Sequence, residues 1–179
     1  MTTLPTDVLR FWREAGPQRW FGRDDAFDAQ FREGFLVAHE AAAAGALPHW
    51  STSADGALAL VLLLDQFPRN AFRGMARMYA TDAQARAAAA EAIAAGHDLC
   101  VDAQLRPFFY LPFMHSEDLR DLDRCVALNR EAGADNLRFA LHHRDIVARF
   151  GRFPHRNAVL GRASSQEEER FLAEGGFGG

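Results

Sequence analysis

The stretch "DNLRFALHHRDIVARFG", residues 135–151, decides how this chain folds. Phe139, His143, Ile146 and Phe150, continued by Phe153, are spaced 4, 3, 4 and 3 residues apart. That spacing stacks side chains along one face of an α-helix, whereas a strand would scatter them over both faces. Beside them Arg138, His142, Asp145, Arg149 and Arg152 repeat the spacing as a polar stripe. An apolar face flanked by a charged one predicts an amphipathic helix laid over a core. Gly151 lets it end, and Pro154 prevents it from resuming at once.

Working outward, the same period recurs. Residues from about Thr6 to Ala15 form a first short amphipathic segment, stopped by Gly16-Pro17. Asp24 is placed to cap a helix whose apolar positions are Phe27, Phe31, Phe35 and Ala38. A third helix, from about Asp55 to Phe67, is apolar nearly all round between Ala57 and Leu64 and is therefore central. "TDAQARAAAAEAIAAGH" opens on a capping box, Thr81 to Gln84, and ends at Gly96. "SEDLRDLDRCVALNREAG" starts on Ser116 and stops at Gly133, and "SSQEEERFLAE" opens on a second box, Ser165 to Glu168. No stretch alternates with period two. The expected fold is all-α: one domain over residues 1–179, about eight antiparallel helices, with residues 171–179 a frayed tail.

Composition narrows the function. A chain of 179 residues with 49% hydrophobic and 25% charged residues can bury an ordinary core. Its formal net charge of −4 argues against general attraction to nucleic acid or an anionic membrane. The longest apolar run, Ala57 to Leu64, is too short to span a bilayer. The opening "MTTLPTDVLRFW" is no secretion signal, so the cytoplasm is the expected location. Cys100 and Cys125 form no redox or zinc pattern. All 20 basic residues counted as Lys and Arg are arginine, so the choice of Arg at one position says little, while clustering still does.

Three segments concentrate chemistry. Residues 138–162 hold six arginines and one acid, Asp145, a local balance of 6 − 1 = +5. Like charges so close need an anion, a distant acid or solvent. "RFGRFPHRN", residues 149–157, sets His155, Arg156 and Asn157 on a turn of fixed direction. "LLLDQFPRNAFRG" ends a buried helix with Asp65 and Gln66 before a Pro68 that disfavours helix at Phe67, then supplies Arg69, Asn70 and Arg73. A desolvated acid there needs a cation, and Asp65 paired with Arg69, or with an arginine of the 149–156 turn, would serve either as a clamp or as a rigid support for a ligand-facing guanidinium. "RPFFYLPFMHSEDL" carries Arg106, Tyr110 and His115-Ser116-Glu117, the last three at a helix start that caps itself and also offers N–H groups to an anion.

With "WF" at Trp20-Phe21 and "SSQEEERFL", these segments resemble the bacterial domain-of-unknown-function 924 family over nearly the whole chain. The resemblance implies a helical fold similar to tetratricopeptide-repeat proteins, with paired antiparallel helices. It marks as signature positions Asp65, Gln66, Arg69, Asn70, Arg73, Arg106, Tyr110, His115, Ser116, Glu117, His143, Arg149, Arg152, His155, Arg156, Asn157 and Arg162. Ser164-Ser165-Gln166 stands where the family more usually has Ser-Thr-Pro, a change that keeps the cap. The family brings no established reaction.

The residues favour a pocket for a small phosphate- or carboxylate-bearing molecule. Arginines would clamp the anion, with His115, His143 or His155 moving protons and Glu117 or Asp65 orienting them, as a hydrolase or transferase requires. A helical scaffold gripping an acidic or C-terminal peptide is the alternative, and RNA binding through Arg and aromatics a lesser one. No metal or other cofactor is expected, since no His pair sits at the spacing of an H-E-x-x-H site. The common premise is that cationic side chains from distant segments meet in one hollow.

Overall fold

The structure, a computed structural model, describes residues 2–132 and 134–178. Gly133, the expected stop of the fifth helix, lies outside the described residues. The fold is all-α, with no strand among the described residues. It divides into two compact units, the first running through Arg73 with Arg77–Pro112, the second comprising Gly74–Ala76 and the chain from Phe113 onward. Among the described residues no helix is long and apolar enough to cross a membrane.

The first unit opens with α1 (Pro5–Trp20), which leaves helical geometry at Gly16 (φ +71°, ψ 172°) and restarts on Pro17, as the Gly-Pro pair predicts. In α2 (Asp25–Ala43) the Asp24 carboxylate accepts from the amides of Ala26 and Phe27 at 3.1 and 3.0 Å, the expected cap. Phe27, Phe31 and Phe35 then turn inward one helical turn apart. Phe11 stacks on Phe27 and Phe31 at 5.1 Å, and the buried Trp12 meets Phe31 at 5.5 Å and the edge of Phe108 at 5.3 Å.

The central helix does not stop before Pro68. It runs as α3 (Ala54–Val61), widens into a π turn at Leu62–Gln66 and continues as α4 (Phe67–Ala71), with Phe67 at φ −52°, ψ −50°. Pro68 has no N–H for the carbonyls one turn back. The Leu63 carbonyl accepts instead from His39 Nδ1 at 2.9 Å, and the Leu64 carbonyl from Thr81 Oγ1 at 2.6 Å. Side chains thus repair the ladder that proline interrupts, and the helix survives it. Thr81 is consequently not the expected capping-box residue of α5 (Asp82–Ala94), and Gln84 reaches to the Ala43 carbonyl at 2.7 Å. Gly56, on α3, is pressed against the Trp50 carbonyl, where a Cβ has no room. Gly56→Ala should therefore cost about 2 kcal/mol of unfolding free energy in urea titrations, as overpacking does elsewhere. An unchanged midpoint would show that the contact yields freely.

A single turn, α6 (Leu111–Met114), leads into the second unit. There α7 (Leu119–Ala132) and α8 (Ala134–Phe150) pack along each other, and α9 (Gln166–Ala173) follows. Leu122, Ile146, Val147 and Phe153 form the core, with Phe150, Phe171 and Phe177 against it. Three expectations shift here. The cap of α7 is Asp118, whose Oδ1 accepts from the Arg120 amide at 2.9 Å, while Ser116 Oγ accepts from the Asp118 amide at 3.1 Å in the preceding turn. The buried face of α8 is rotated toward Ala140 and Val147, leaving Phe139 49% exposed beneath the Arg138 guanidinium. The segment expected to fray from residue 171 is helical to Ala173 and docks through Phe171 and Phe177. The Ser165–Glu168 capping box forms as expected.

Candidate functional site

In the first unit the expected residues sit in three groups, each built around an acid. Arg69, 13% exposed at its side chain, forms ion pairs through Nη1 with Asp65 at 3.1 Å and with Asp82 at 2.9 Å, and donates Nη1 to the Asp65 carbonyl at 2.8 Å. Burial disfavours its charge, but Asp65 and Asp82 more than offset this and hold the guanidinium pKa above its ordinary value. Gln66 Nε2 donates to the other Asp65 oxygen at 2.6 Å. Asn70 and Arg73 both donate to the buried Asp28, at 2.7 and 2.5 Å, and Asp28 and Asn70 line a cavity of about 570 Å³ together with Arg32 and Leu36. Tyr110 OH donates to the Asp98 carboxylate at 2.8 Å, and Arg106 Nε to the Asp98 carbonyl at 3.1 Å.

In the second unit distant acids relieve the local excess of +5. Arg144 pairs with Asp123 at 2.9 Å and Arg149 with Glu167 at 2.8 Å. Arg152 grips Glu168 with Nε and Nη2 at 2.6 and 2.8 Å and donates to the Ala163 carbonyl. These bonds, with the Ser165 amide, hold the Glu168 carboxyl down at about 2 despite its burial. Arg162 forks onto Glu117 at 2.7 and 2.9 Å and donates Nε to Asn157 Oδ1 at 3.0 Å. Glu117 also accepts from the Phe153 amide at 2.8 Å. Burial would raise its pKa, but the Arg162 and Phe153 bonds keep it below the usual carboxylate range. Asn157 Nδ2 donates to Ser164 Oγ at 3.1 Å. Bidentate arginine bonds fix plane as well as position. The turn 152–157 is therefore clamped at both ends, and its middle is presented rigidly.

That middle is His155-Arg156. Arg156, 7% exposed, donates Nη2 to the His115 carbonyl at 2.9 Å and lies 4.7 Å from the Phe153 ring centre. His143, 8% exposed on α8, donates Nδ1 to the Phe139 carbonyl at 2.8 Å, which leaves Nε2 as the acceptor of its neutral ring. Burial pushes the His143 pKa to about 4, and His115, His142 and Arg156 add to the effect. His155 is likewise pushed to about 4, by burial first and then by Arg156 and His143, with Glu117 opposing. Its Nδ1 is buried and has no hydrogen-bond partner among the described residues. Residues from the 115–117, 143 and 155–156 segments thus act on one another electrostatically within this unit. At neutral pH they place one cation beside two uncharged imidazoles.

Other chemistry is sparse. Among the described residues no group of three His, Cys, Asp or Glu is arranged to hold a metal ion. Cys100 is exposed and Cys125 buried, its thiol pushed up to about 12 by burial. The residues that sequence reasoning passed over are the partner acids Asp28, Asp82, Asp98, Glu167 and Glu168, and Phe177. The acids carried no local signal, being 45, 13, 12, 18 and 16 positions from the cations or hydroxyl they serve. Phe177 was hidden in a glycine-rich segment that reads as a frayed end.

Residues 8–176 match the family described as bacterial protein of unknown function, DUF924. The chain belongs to that family. It is similar to a solved structure of a protein of unknown function, ATU0120 from Agrobacterium tumefaciens, at 53% identity and a TM-score of 0.94 over 96% of this chain and 97% of the other. No curated protein matches it.

Proposed function

We propose that this DUF924 member binds a small phosphate- or carboxylate-bearing molecule at Arg156, His155 and His143. The observation that carries the proposal is the buried, partnerless Nδ1 of His155 beside the Arg156 guanidinium. Buried polar atoms in folded proteins are nearly always hydrogen-bonded, and a ligand oxygen supplies the missing bond. Arg156 supplies the charge, and the neutral His143 Nε2 accepts a hydrogen bond from a hydroxyl of the bound molecule. Arg152, Arg162, Glu117 and Asn157 hold the turn that positions these groups. His115 contributes its carbonyl to orienting Arg156.

The test is titration of the full chain with inorganic phosphate, followed by calorimetry and by the histidine ring proton resonances. Phosphate should shift the His143 and His155 signals. Arg156→Gln should weaken binding at least tenfold, with Arg156→Lys restoring part of it. His155→Phe, which keeps the ring volume, should also weaken binding while the circular dichroism spectrum is unchanged. Wild-type resonances that stay fixed up to tens of millimolar phosphate (on the order of the weakest useful anion sites) would end the proposal.

A further inference from the structure

The imidazole cluster already holds a ring. Phe177 lies 4.6 Å from His143, 5.1 Å from His155 and 5.9 Å from His142, all edge-on at 63°, 83° and 82°. These are the distances and tilts of favourable aromatic pairs. The chain is shaped to deliver this ring. After α9 the Gly175 amide donates to the Leu172 carbonyl at 3.3 Å with Gly175 at φ +84°, and the Gly176 amide donates to the Phe171 carbonyl at 2.9 Å. The chain therefore doubles back, so closely that a Cβ on Gly176 would lie 2.5 Å from the Phe171 carbonyl oxygen and 2.6 Å from its ring. Only glycine makes that turn, and two glycines in succession also make undocking favourable in entropy. Phe177 itself is only half-buried.

We infer that Phe177 fills a ring-sized subsite beside the anion position, and that the ligand is an aromatic or comparably flat apolar molecule carrying the phosphate or carboxylate, which displaces Phe177 on binding. The inference rests on the anion site proposed above and adds the ligand's other half. The ring position borders His155, the residue directly before Arg156 in the chain, so a phenyl group carrying an anion a short distance away is the form of ligand that would use both. A self-filled site lowers apparent affinity by the fraction of molecules in which Phe177 is docked. Removing the plug removes that penalty.

Three probes separate the two readings: inorganic phosphate (anion alone), phenol (ring alone) and phenyl phosphate (both). In the wild-type chain phenyl phosphate should bind at least tenfold more tightly than inorganic phosphate. It should also erase the nuclear Overhauser contacts between Phe177 and the rings of His143 and His155, and speed hydrogen exchange at residues 175–178. Phe177→Ala should strengthen phenyl phosphate binding about tenfold and leave inorganic phosphate within twofold. Phenyl phosphate bound with the Phe177 contacts intact, or bound no better by Phe177→Ala, would overturn the subsite. If inorganic phosphate binds neither protein, the anion reading fails. The ring subsite is then judged by phenol alone: displacement of Phe177 in the wild-type chain sustains it, and intact contacts reject it.

Discussion

Replacing Arg69 with Met lowers the unfolding free energy by about 3–5 kcal/mol, the range for removing one partner of a buried ion pair. Two carboxylates lose an ion pair at once. Asp65 is buried at the π turn and Asp82 caps the outer side of the same guanidinium. Met matches the volume of the arginine stem, so packing is largely kept and the loss reports charge. Asp65 is held in place by Gln66 and lies in the π turn ahead of Pro68, so it cannot easily move toward solvent. The companion Asp82→Asn should cost less, since Asp65 still neutralises Arg69. Urea unfolding of both variants by far-ultraviolet circular dichroism decides the matter. A loss below 1 kcal/mol for Arg69→Met would mean that solvent reaches both carboxylates. A deeper fall with Asp82→Asn than with Arg69→Met would mean that the acids are held by something other than Arg69.

That ion triad also shows where sequence reading succeeds and fails. The need of Asp65 for an arginine was legible, because an acid closing an apolar helix must be satisfied; that the partner is Arg69, and not an arginine of the 149–156 turn, came from the structure. The Asp82 half was not, because it lies on the next helix and nothing local announces it. The same division holds across the fold. Helices on α2, α8 and α9 followed from period and caps, which act over three or four residues. Pro68 misled, because its local veto on helix was overridden by donors from His39 and Thr81, 24 and 17 residues from the carbonyls they serve. Thr81 could not serve two roles, so the local capping signal was lost to the tertiary one. In the candidate site, the clustering of arginine was readable as a need for negative charge. Which arginines had acids of their own became visible only when Glu117, Glu167 and Glu168 were placed beside them.

Acidification from pH 7 to pH 4.5 should destabilise the protein by several kcal/mol before most carboxylates titrate. The His143 and His155 pKa values fall from the ordinary 6.5 to about 4 in the folded chain. Between these limits the unfolded chain binds more protons than the folded one, so stability rises with pH through the window and is level above it. Each histidine contributes at most on the order of 3 kcal/mol, one pKa unit being about 1.4 kcal/mol. Most groups facing them act in the same sense: Arg156 and His115 penalise a charged ring at both positions, His142 does so at His143 and His143 at His155, and of these groups only Glu117 opposes, at His155. Glu168 adds its loss only lower, between 4.5 and about 2, so the two phases separate on the pH axis. Urea midpoints at pH 7.0, 5.5 and 4.5 should fall steadily, and His143→Gln with His155→Phe should flatten the curve above pH 4.5 while leaving the lower phase. A bound anion favours charged imidazoles, so phosphate should make the wild-type decline shallower, whereas it should leave the double variant unmoved. A wild-type midpoint that is level from pH 7.0 to 4.5 would show that both rings accept protons without penalty, and the dry imidazole site would have to be abandoned.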